Sequence, residues 1–289
     1  MPLDSPLRDH ACLIVHGADQ PGLVASVSAL LTRHGGNIVT LGQYSSDPEG
    51  GAYFQRVVFH RPGLAGAMPD IEADLGATLE PFGMQWRLTD QSIPKRMAIL
   101  ASTSDHCLLE LLWRHRRGEL PVVVPMVISN HTVVADDTRS FGVPFVHVPS
   151  QGADKSAAEA RILDLLVGNV DFVVLARYMQ IISEDFLDRI GVPVINIHHS
   201  FLPAFIGAAP YRKAHERGVK LIGATSHYVT KDLDEGPIIE QDVTRVDHTM
   251  TAADLQARGA DVERAVLARA VRWHAEDRVI RHGNRTVVL

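Results

Sequence analysis

The sequence predicts an α/β protein with two units, and three observations support this prediction. Strand-like and helix-like segments follow one another in the order βαββαβ over the first ~90 residues. Beyond residue 95, short runs rich in valine and isoleucine alternate with helical segments, which is typical of a doubly wound sheet. Two polar clusters interrupt this apolar second part, at residues 196–203 and 227–237, so we expect the chemistry there.

The first unit, predicted to span residues 1–90, contains four strands and two helices. Apolar side chains recur at a helical period within residues 23–34, and Gly35-Gly36 ends that helix. The six segments are expected at residues 10–16, 23–34, 38–44, 52–60, 68–79 and 84–88. Their order predicts a ferredoxin-like split βαβ arrangement, and residues 89–94 are expected to form the linker.

The second unit, predicted to span residues 95–289, has apolar runs that suit parallel strands buried on both faces. These strands are expected at residues 97–101, 122–128, 145–148, 172–176 and 194–197. Helices are expected around residues 108–112 and 261–273, and another from Ser156, which forms a capping-box pattern with Glu159. Residues 279–289 are expected to form a hairpin around Gly283-Asn284.

Composition narrows the class of protein. The 289 residues are 46% hydrophobic and 21% charged, as in a globular protein that dissolves in water. The formal net charge of -6 gives no basic field for nucleic acid, and no apolar run is long enough to span a membrane. Residues 1–6 lack the basic-then-apolar order of a signal peptide, and two cysteines give no disulfide framework. A cytoplasmic protein is therefore expected.

Several common ligand motifs are absent from the sequence. No glycine-rich phosphate-binding pattern follows a strand, and the first turn of the second unit, residues 102–106, contains no glycine. His198 and His199 are adjacent on a predicted strand, so their side chains face opposite ways and a shared metal is not expected.

The polar clusters favour an enzyme. On a strand, Asn196 and His198 share one face at the end where open α/β sheets place their sites. An amide, an imidazole and the carboxylate of Asp234 can together polarise a carbonyl group and move a proton. Crowding of Asp232, Asp234 and Glu235 would raise the pKa of one carboxyl group by like-charge repulsion. The structural alternative is a turn cap at Asn196, a core histidine at 198 and a turn aspartate at 234.

Three strings resemble known families. Residues 196–207 resemble the signature of folate-dependent formyltransferases, an Asn-x-His on a strand followed by Ser-x-Leu-Pro. Residues 223–229 and 234–241 are similar to the second half of that signature. Residues 19–25, Asp-Gln-Pro-Gly-Leu-Val-Ala, look like the start of an ACT domain. An ACT domain followed by a formyltransferase fold is the arrangement of the formyltetrahydrofolate deformylase family.

The resemblance implies a substrate and a set of roles. The substrate would be 10-formyltetrahydrofolate, the acceptor water, and the products formate and tetrahydrofolate, with no metal or other cofactor. Asn196 and His198 would act at the formyl group, and Asp234 would handle protons. The substrate-binding positions would be Tyr178, Met179, Ile181, Ile182, Thr225, His227, Lys231, Asp232 and Leu233.

The ACT-like turn implies regulation and assembly. Asp19, Gln20, Pro21 and Gly22 precede a helix N-terminus, whose free backbone N–H groups could bind the carboxylate of an amino-acid effector. By resemblance, the sheet of this unit would pair between subunits and give a homo-oligomer.

One departure and three alternatives remain. Similar deformylases usually have a basic residue before Pro210-Tyr211, whereas this chain has Ala209. Glycinamide ribonucleotide formyltransferase has the same three catalytic groups, but the glycine-free first turn disfavours a phosphate-bearing second substrate. Methionyl-tRNA formyltransferase would need a further RNA-binding domain and a basic surface. The third alternative is a non-catalytic sensor of folate or amino acids.

Overall fold

A computed structural model describes residues 7–150, 155–203 and 210–289 of the chain. Residues 1–6, Ala209 and the 204–207 part of the formyltransferase-like signature lie outside the described residues. The chain divides into two compact units. The first comprises Met1–Pro94, Asp277–Ile280 and Val287–Leu289, and the second comprises Lys95–Glu276 and Arg281–Thr286. The predicted domain ranges 1–90 and 95–289 remain a division made on the sequence.

The first unit is a four-stranded antiparallel sheet with two helices, as the βαββαβ order predicts. Its elements are β1 His10–Ala18, α1 Leu23–Arg33, β2 Asn37–Ser45, β3 Ala52–His60, α2 Leu64–Leu79 and β4 Gln85–Asp90. The strands lie in the order β2-β3-β1-β4, so the first strand is central. This is the ferredoxin-like arrangement expected from the sequence.

The core of the first unit follows from the apolar period of its elements. Leu23, Val27, Leu30 and Leu31 are spaced for one face of α1, and all four are buried. Each such side chain contributes roughly 1.5–3 kcal/mol when it leaves water. The helix thus covers one face of the sheet.

Two boundaries of the first unit differ from the prediction. Helix α2 begins at Leu64 instead of residue 68, because Leu64 and Ala67 are buried in the same core. Strand β4 continues to Asp90, which pairs with Ala11, so the linker predicted from residue 89 is shorter than expected.

The second unit contains a mixed sheet flanked by helices. Its elements are β5 Lys95–Ala101, α3 His106–Arg116, β6 Val122–Val123, β7 Val127–Ser129, α4 Ala135–Ser140, β8 Phe145–His147, α5 Lys155–Leu166, β9 Phe172–Ala176, α6 Glu184–Ile190, β10 Val194–His198, α7 Pro210–Arg217, β11 Leu221–Tyr228, β12 Ile238–Arg245 and α8 Ala252–Ala275. The expected hairpin follows as β13 Val279–His282 and β14 Arg285–Val288.

The main sheet has the strand order β12-β11-β10-β9-β5-β7-β8, and β6 pairs with β5 at its side. Strands β8, β7, β5, β9 and β10 are parallel, which confirms the expectation from their apolar runs. Strands β11 and β12 are antiparallel and extend the sheet beyond β10. The order is not sequential around β5, as expected for a doubly wound sheet.

Four predictions for the second unit were wrong in detail. The run predicted as one strand at residues 122–128 forms two strands, because Pro125 interrupts it. Strands β11 and β12 were not predicted. Helix α8 begins at Ala252, nine residues before the predicted start at 261, and Thr251 caps it in a capping box with Asp254.

Among the described residues, no helix is long and apolar enough to cross a membrane.

The capping box predicted at Ser156 is the fourth of these errors. Helix α5 already includes Lys155, so Ser156 lies inside the helix. The Glu159 carboxylate instead accepts hydrogen bonds from the backbone N–H and the hydroxyl group of Ser183, the residue that caps α6. Glu159 therefore connects two helices.

Candidate active site

Asn196 and His198 lie at the end of β10, where the sheet changes from parallel to antiparallel pairing. Asn196 pairs with Leu175 of β9 on one side and with His227 of β11 on the other. Because side chains alternate along a strand, Asn196 and His198 share a face. His198 is buried and Asn196 is half-buried. The sheet thus holds both groups on a rigid element, as the sequence predicted.

Asp234 lies in the loop between β11 and β12, with φ at 59° in the left-handed region. Gly236 closes this loop on the end of β11, since a Cβ there would lie 1.8 Å from the carbonyl oxygen of Tyr228. The Tyr228 backbone N–H also donates to the Pro237 carbonyl oxygen at 2.9 Å. These contacts fix the point from which the Asp234 carboxylate projects.

The Asp234 carboxylate joins two histidines. Its Oδ2 lies 3.1 Å from His198 Nδ1, and its Oδ1 lies 3.6 Å from His227 Nε2. The hydrogen bond from His198 and then the nearby His227 hold the pKa of Asp234 well below its ordinary value, against the effect of burial. The raised carboxyl pKa predicted from the crowding of Asp232, Asp234 and Glu235 is therefore wrong for Asp234, because its side chain faces the histidines.

The second ring nitrogen of His198 is available for chemistry. Nε2 is buried and has no hydrogen-bond partner within the described part of the chain. Asp234 orients the ring through Nδ1, so Nε2 is presented to the cavity that His198 lines. Beside it, Asn196 Nδ2 lies 3.3 Å from His227 Nε2, and His227 Nδ1 donates to the Tyr228 carbonyl oxygen at 3.0 Å. The site therefore offers an imidazole and an amide side by side.

A cavity of about 440 Å³ contains these groups. Of the predicted site residues, it brings together Tyr178, Met179, Ile181, Ile182, Asn196, His198, His227, Lys231, Leu233 and Asp234. Its outer wall is apolar yet open to solvent, since Met179, Ile181 and Leu233 are 57%, 61% and 60% exposed. Such a wall suits a ligand that is flat and partly apolar.

Two predicted binding residues lie elsewhere. Thr225 is fully buried, and its hydroxyl group donates to the Ser200 carbonyl oxygen while accepting from the Leu202 backbone N–H and from Gln241. It therefore holds the loop after His198 and does not line the cavity. Asp232 is exposed and also outside the cavity lining, because the loop turns its side chain toward solvent.

The sequence reasoning missed four polar residues of the cavity, namely Arg177, Gln180, His199 and Thr230. Arg177 follows β9 with φ at 59° and lies 3.4 Å, Nε to Oε2, from the buried Glu263 of α8. Burial, with Arg177 and His198 close by, lowers the pKa of His199 to about 4. Position at the end of a parallel strand could have identified Arg177, but nothing in the sequence connects Glu263 with it.

Among the described residues, His106, Cys107 and Glu263 form the one cluster with the spacing of metal ligands. Burial raises the pKa of the Cys107 thiol well above its ordinary value, so the thiol stays protonated. The Glu263 carboxylate is already bonded by His106 at 2.9 Å and Tyr211 at 2.5 Å, and it pairs with Arg177. This donor set does not fit a metal ion.

The predicted effector turn in the first unit is tied down by its own side chains. Asp19 accepts a hydrogen bond from the Ser45 hydroxyl group, and Gln20 Nε2 donates to the Phe82 carbonyl oxygen at 2.8 Å. After Pro21, Gly22 precedes α1 with φ at 96°, and no side chain of the described residues caps the first backbone N–H groups of that helix. The effector site at residues 19–22 stays a prediction.

The fold and the site together define an ACT domain joined to a formyl transferase domain. The ACT domain family matches residues 13–76, and the formyl transferase family matches residues 95–271. A formyltetrahydrofolate deformylase of Mycobacterium tuberculosis is 60% identical over 96% of this chain and 89% of the relative. One of Bacillus subtilis is 50% identical over 97% of this chain and 94% of the relative. The chain belongs to the formyltetrahydrofolate deformylase family.

Solved structures agree with this assignment. A formyltetrahydrofolate deformylase from Pseudomonas syringae has a TM-score of 0.92 and 43% identity, covering 97% of this chain and 94% of its own. A glycinamide ribonucleotide transformylase from Symbiobacterium toebii has a TM-score of 0.65 and 33% identity, covering 70% of this chain and 96% of its own. The predictions of family and fold class are confirmed.

Proposed function

We propose that this chain hydrolyses 10-formyltetrahydrofolate to formate and tetrahydrofolate. The observation that carries the proposal is the pairing of an ionised Asp234 with His198, which lines a partly apolar cavity and whose Nε2 has no partner among the described residues. The deformylase relatives, similar over nearly the whole chain, support the choice of substrate.

The cavity suits the folate in its chemistry. The apolar side chains of Met179, Ile181 and Leu233 offer surface for the flat ring system. Lys231 lies at the rim of the cavity, 64% exposed and only 4.0 Å from Glu184, so it can exchange that pairing for an anionic part of the ligand. The formyl group would then lie at the inner end, beside Asn196 and His198.

The reaction requires stabilisation of one negative charge. Water attacks the formyl carbon, and charge develops on the formyl oxygen. An N–H group of Asn196 and a protonated Nε2 of His198 donate to that oxygen; a donor of this kind typically contributes ~10²–10³-fold in rate. Asp234 accepts a proton from the water and returns it to the folate nitrogen as the C–N bond breaks, a contribution of ~10²–10⁴-fold.

The low pKa of Asp234 bears on when it accepts that proton. In the resting site, the histidines hold the carboxylate ionised. When His198 shares its Nε2 proton with the oxyanion, less positive charge remains beside Asp234. Its pKa then rises toward the range in which a carboxylate is an effective base. The pairing thus couples proton acceptance to oxyanion formation, and this chemistry calls on no metal or redox cofactor.

Transfer to a phosphate-bearing acceptor is disfavoured by the first turn of the second unit. The Ser102 hydroxyl group donates to Asn130 at 2.7 Å and accepts from the Met179 backbone N–H at 3.1 Å. Ser102 is therefore engaged in internal bonds, and the turn contains no glycine to approach a phosphate. A non-catalytic sensor is disfavoured because the three proposed catalytic groups line one cavity, with Asp234 3.1 Å from His198.

The wider role rests on the same proposal. Formate release would supply one-carbon units for purine synthesis and balance the folate pool in the cytoplasm. The first unit would bind an amino-acid effector at residues 19–22 and join subunits in a homo-oligomer. The open N-terminus of α1 supports the effector site.

Hydrolysis without an acceptor is the direct test of the proposal. Purified protein should convert 10-formyltetrahydrofolate to tetrahydrofolate and formate with no second substrate, because the first turn of the second unit contains no glycine that would bring its backbone close to a phosphate. Tetrahydrofolate absorbance and enzymatic formate assay would follow the reaction, with heat-denatured protein as control. Turnover that appears only after addition of glycinamide ribonucleotide or tRNA would contradict hydrolysis.

Amino-acid titration tests the effector site. Glycine, methionine or another amino acid at millimolar concentration should change the activity and raise the melting temperature, since a ligand that binds the folded state stabilises it. Gln20→Ala, which removes the bond to Phe82, should weaken that response and leave basal activity unchanged. If no amino acid shifts either quantity, the first unit would have only an assembly role.

A further inference from the structure

A second cavity, of about 840 Å³, lies beside the first and shares Arg177 and His199 with it. Its other polar lining includes His106, Tyr211 and Glu263. The hydrolysis proposed above needs one organic substrate, and the first cavity accommodates it. The second cavity, which meets the first at Arg177 and His199, is therefore left for a small molecule such as water.

Most polar groups around this junction are already engaged. Glu263 Oε1 accepts from the Tyr211 hydroxyl group at 2.5 Å, and Oε2 contacts His106 Nε2 at 2.9 Å and Arg177 Nε at 3.4 Å. Burial raises the pKa of Glu263, but His106, Arg177 and Tyr211 outweigh that effect and keep it lowered. The Glu263 carboxylate is thus ionised, and both of its oxygens are engaged. It therefore orients its neighbours, and another group must accept a hydrogen bond from the attacking water.

Of Arg177 and His199, the two residues that line both cavities, His199 is the one whose side chain can accept a hydrogen bond. The prediction that His198 and His199 face opposite ways was wrong, because the strand ends at His198 and both rings line the first cavity. The ring centroid of His199 lies 5.2 Å from that of His198 and 6.1 Å from that of Tyr211, so it lies between the catalytic imidazole and the second cavity. Within the part of the chain that the structure describes, its ring nitrogens make no hydrogen bond. With a pKa of about 4, the ring is neutral at physiological pH and keeps one nitrogen as an acceptor.

We propose that His199 is a further catalytic residue, which accepts a hydrogen bond from the attacking water where the two cavities meet. The proposal rests on the hydrolysis proposed above. Asn196 and His198 donate to the formyl oxygen, Asp234 takes one proton of the water, and the second proton needs an acceptor. Arg177 is cationic and cannot supply one.

The step balances with the groups named. An oxygen lone pair of water forms the new C–O bond while one proton moves to Asp234. The other proton stays on the oxygen, hydrogen-bonded to His199, in the tetrahedral intermediate. The C–N bond then breaks, its electron pair takes the proton from Asp234, and formic acid leaves and ionises to formate. His199 holds the water in line throughout and changes no charge.

His199→Phe tests this role, because it keeps a ring of similar size and removes both nitrogens. The rate of formate release should fall about tenfold, the scale of one hydrogen bond. KM for 10-formyltetrahydrofolate should stay within about twofold, since the first cavity still binds the folate. His248→Phe, at an exposed position outside both cavities, is the matched control.

Hydroxylamine separates water positioning from a structural role. It is a stronger nucleophile that competes with water for the formyl group and gives formohydroxamate. In His199→Phe, the ratio of formohydroxamate to formate should rise about tenfold, because only the water loses its acceptor. A parallel fall of both products, or an unchanged formate rate, would overturn the proposal.

Two outcomes need separate treatment: a variant that does not fold, and a protein that does not hydrolyse the folate. If the melting temperature shows that His199→Phe does not fold, His199→Ala replaces it with the same expected ratio. If the unmodified protein releases no formate without an added acceptor, the hydrolysis itself is wrong. If it hydrolyses the folate and the ratio does not change in the variants, hydrolysis stands and the role of His199 is wrong.

Discussion

Replacing Asp234 with asparagine is expected to reduce the turnover of 10-formyltetrahydrofolate at least about 10²-fold through loss of the base. The change keeps the size of the side chain but removes the proton acceptor and the charge that orients His198, 3.1 Å away. Substrate binding should change little, because the apolar wall of the cavity is untouched. Steady-state kinetics should therefore show a large fall in kcat and a small change in KM.

Asp232→Asn is the matched control, since Asp232 lies in the same loop but outside the cavity lining. It should keep near-normal kcat. Near-normal kcat in Asp234→Asn would instead move proton transfer to His198 or to Glu235. Because the pKa of Asp234 is depressed, its carboxyl group stays ionised at every pH above the ordinary aspartate pKa of about 3.9. If a pH–rate profile shows the rate falling as the pH is lowered while the pH is still above that value, the titrating group is therefore not Asp234.

Asn196→Ala is expected to lower kcat by about 10²–10³-fold, the usual effect of removing one oxyanion donor. The side chain lies on a strand end beside His198, so its amide is positioned before the charge develops. The change also removes the 3.3 Å contact with His227. Binding of tetrahydrofolate, measured by fluorescence titration, should be nearly unchanged, since the product has no formyl oxygen.

Asn169→Ala, at an exposed residue after α5, controls for the loss of an asparagine amide elsewhere. It should leave kcat within experimental error. A fall in tetrahydrofolate affinity that matches the fall in kcat of Asn196→Ala would assign Asn196 to binding and contradict its role at the oxyanion.

The strand that carries both the amide of Asn196 and the imidazole of His198 could be predicted, because its sequence signal is local. Side chains alternate along β10 with a period of two, and the strand is apolar on both faces up to Asn196. The same reasoning missed β11, because Thr225, Ser226 and His227 are all buried there. Polar residues normally indicate an exposed segment, and only the tertiary hydrogen bonds of this sheet satisfy them.

The electrostatics could not be predicted from the order of residues. Asp232, Asp234 and Glu235 are neighbours in sequence, which suggested mutual repulsion. In the fold, Asp232 and Glu235 face solvent while Asp234 faces two histidines from β10 and β11. The sign of a pKa shift depends on side-chain direction, and direction in a loop is set by backbone angles such as the left-handed φ of Asp234.

The start of helix α8 and the burial of Glu263 within it could not be predicted from the sequence either. Its first turns offer little apolar period, with Leu255 the buried large side chain among them, so the sequence signal begins late. Glu263 resembles an ordinary exposed glutamate of an amphipathic helix. It is instead 1% exposed, and its three partners come from α3, α7 and the end of β9. Partners this distant in sequence leave no spacing that a motif could record.

The loop that Gly236 closes, between β11 and β12, restricts which insertions and substitutions the chain can accept without losing activity. The same loop carries Lys231 and Leu233 of the cavity wall as well as the Asp234 carboxylate. Surface loops usually accept insertions, but here an added residue would move ligand contact and proton acceptor together. Laboratory diversification can therefore vary the outward-facing Asp232 and Glu235 freely, whereas libraries that alter the loop's length or replace Gly236 should yield inactive clones almost without exception.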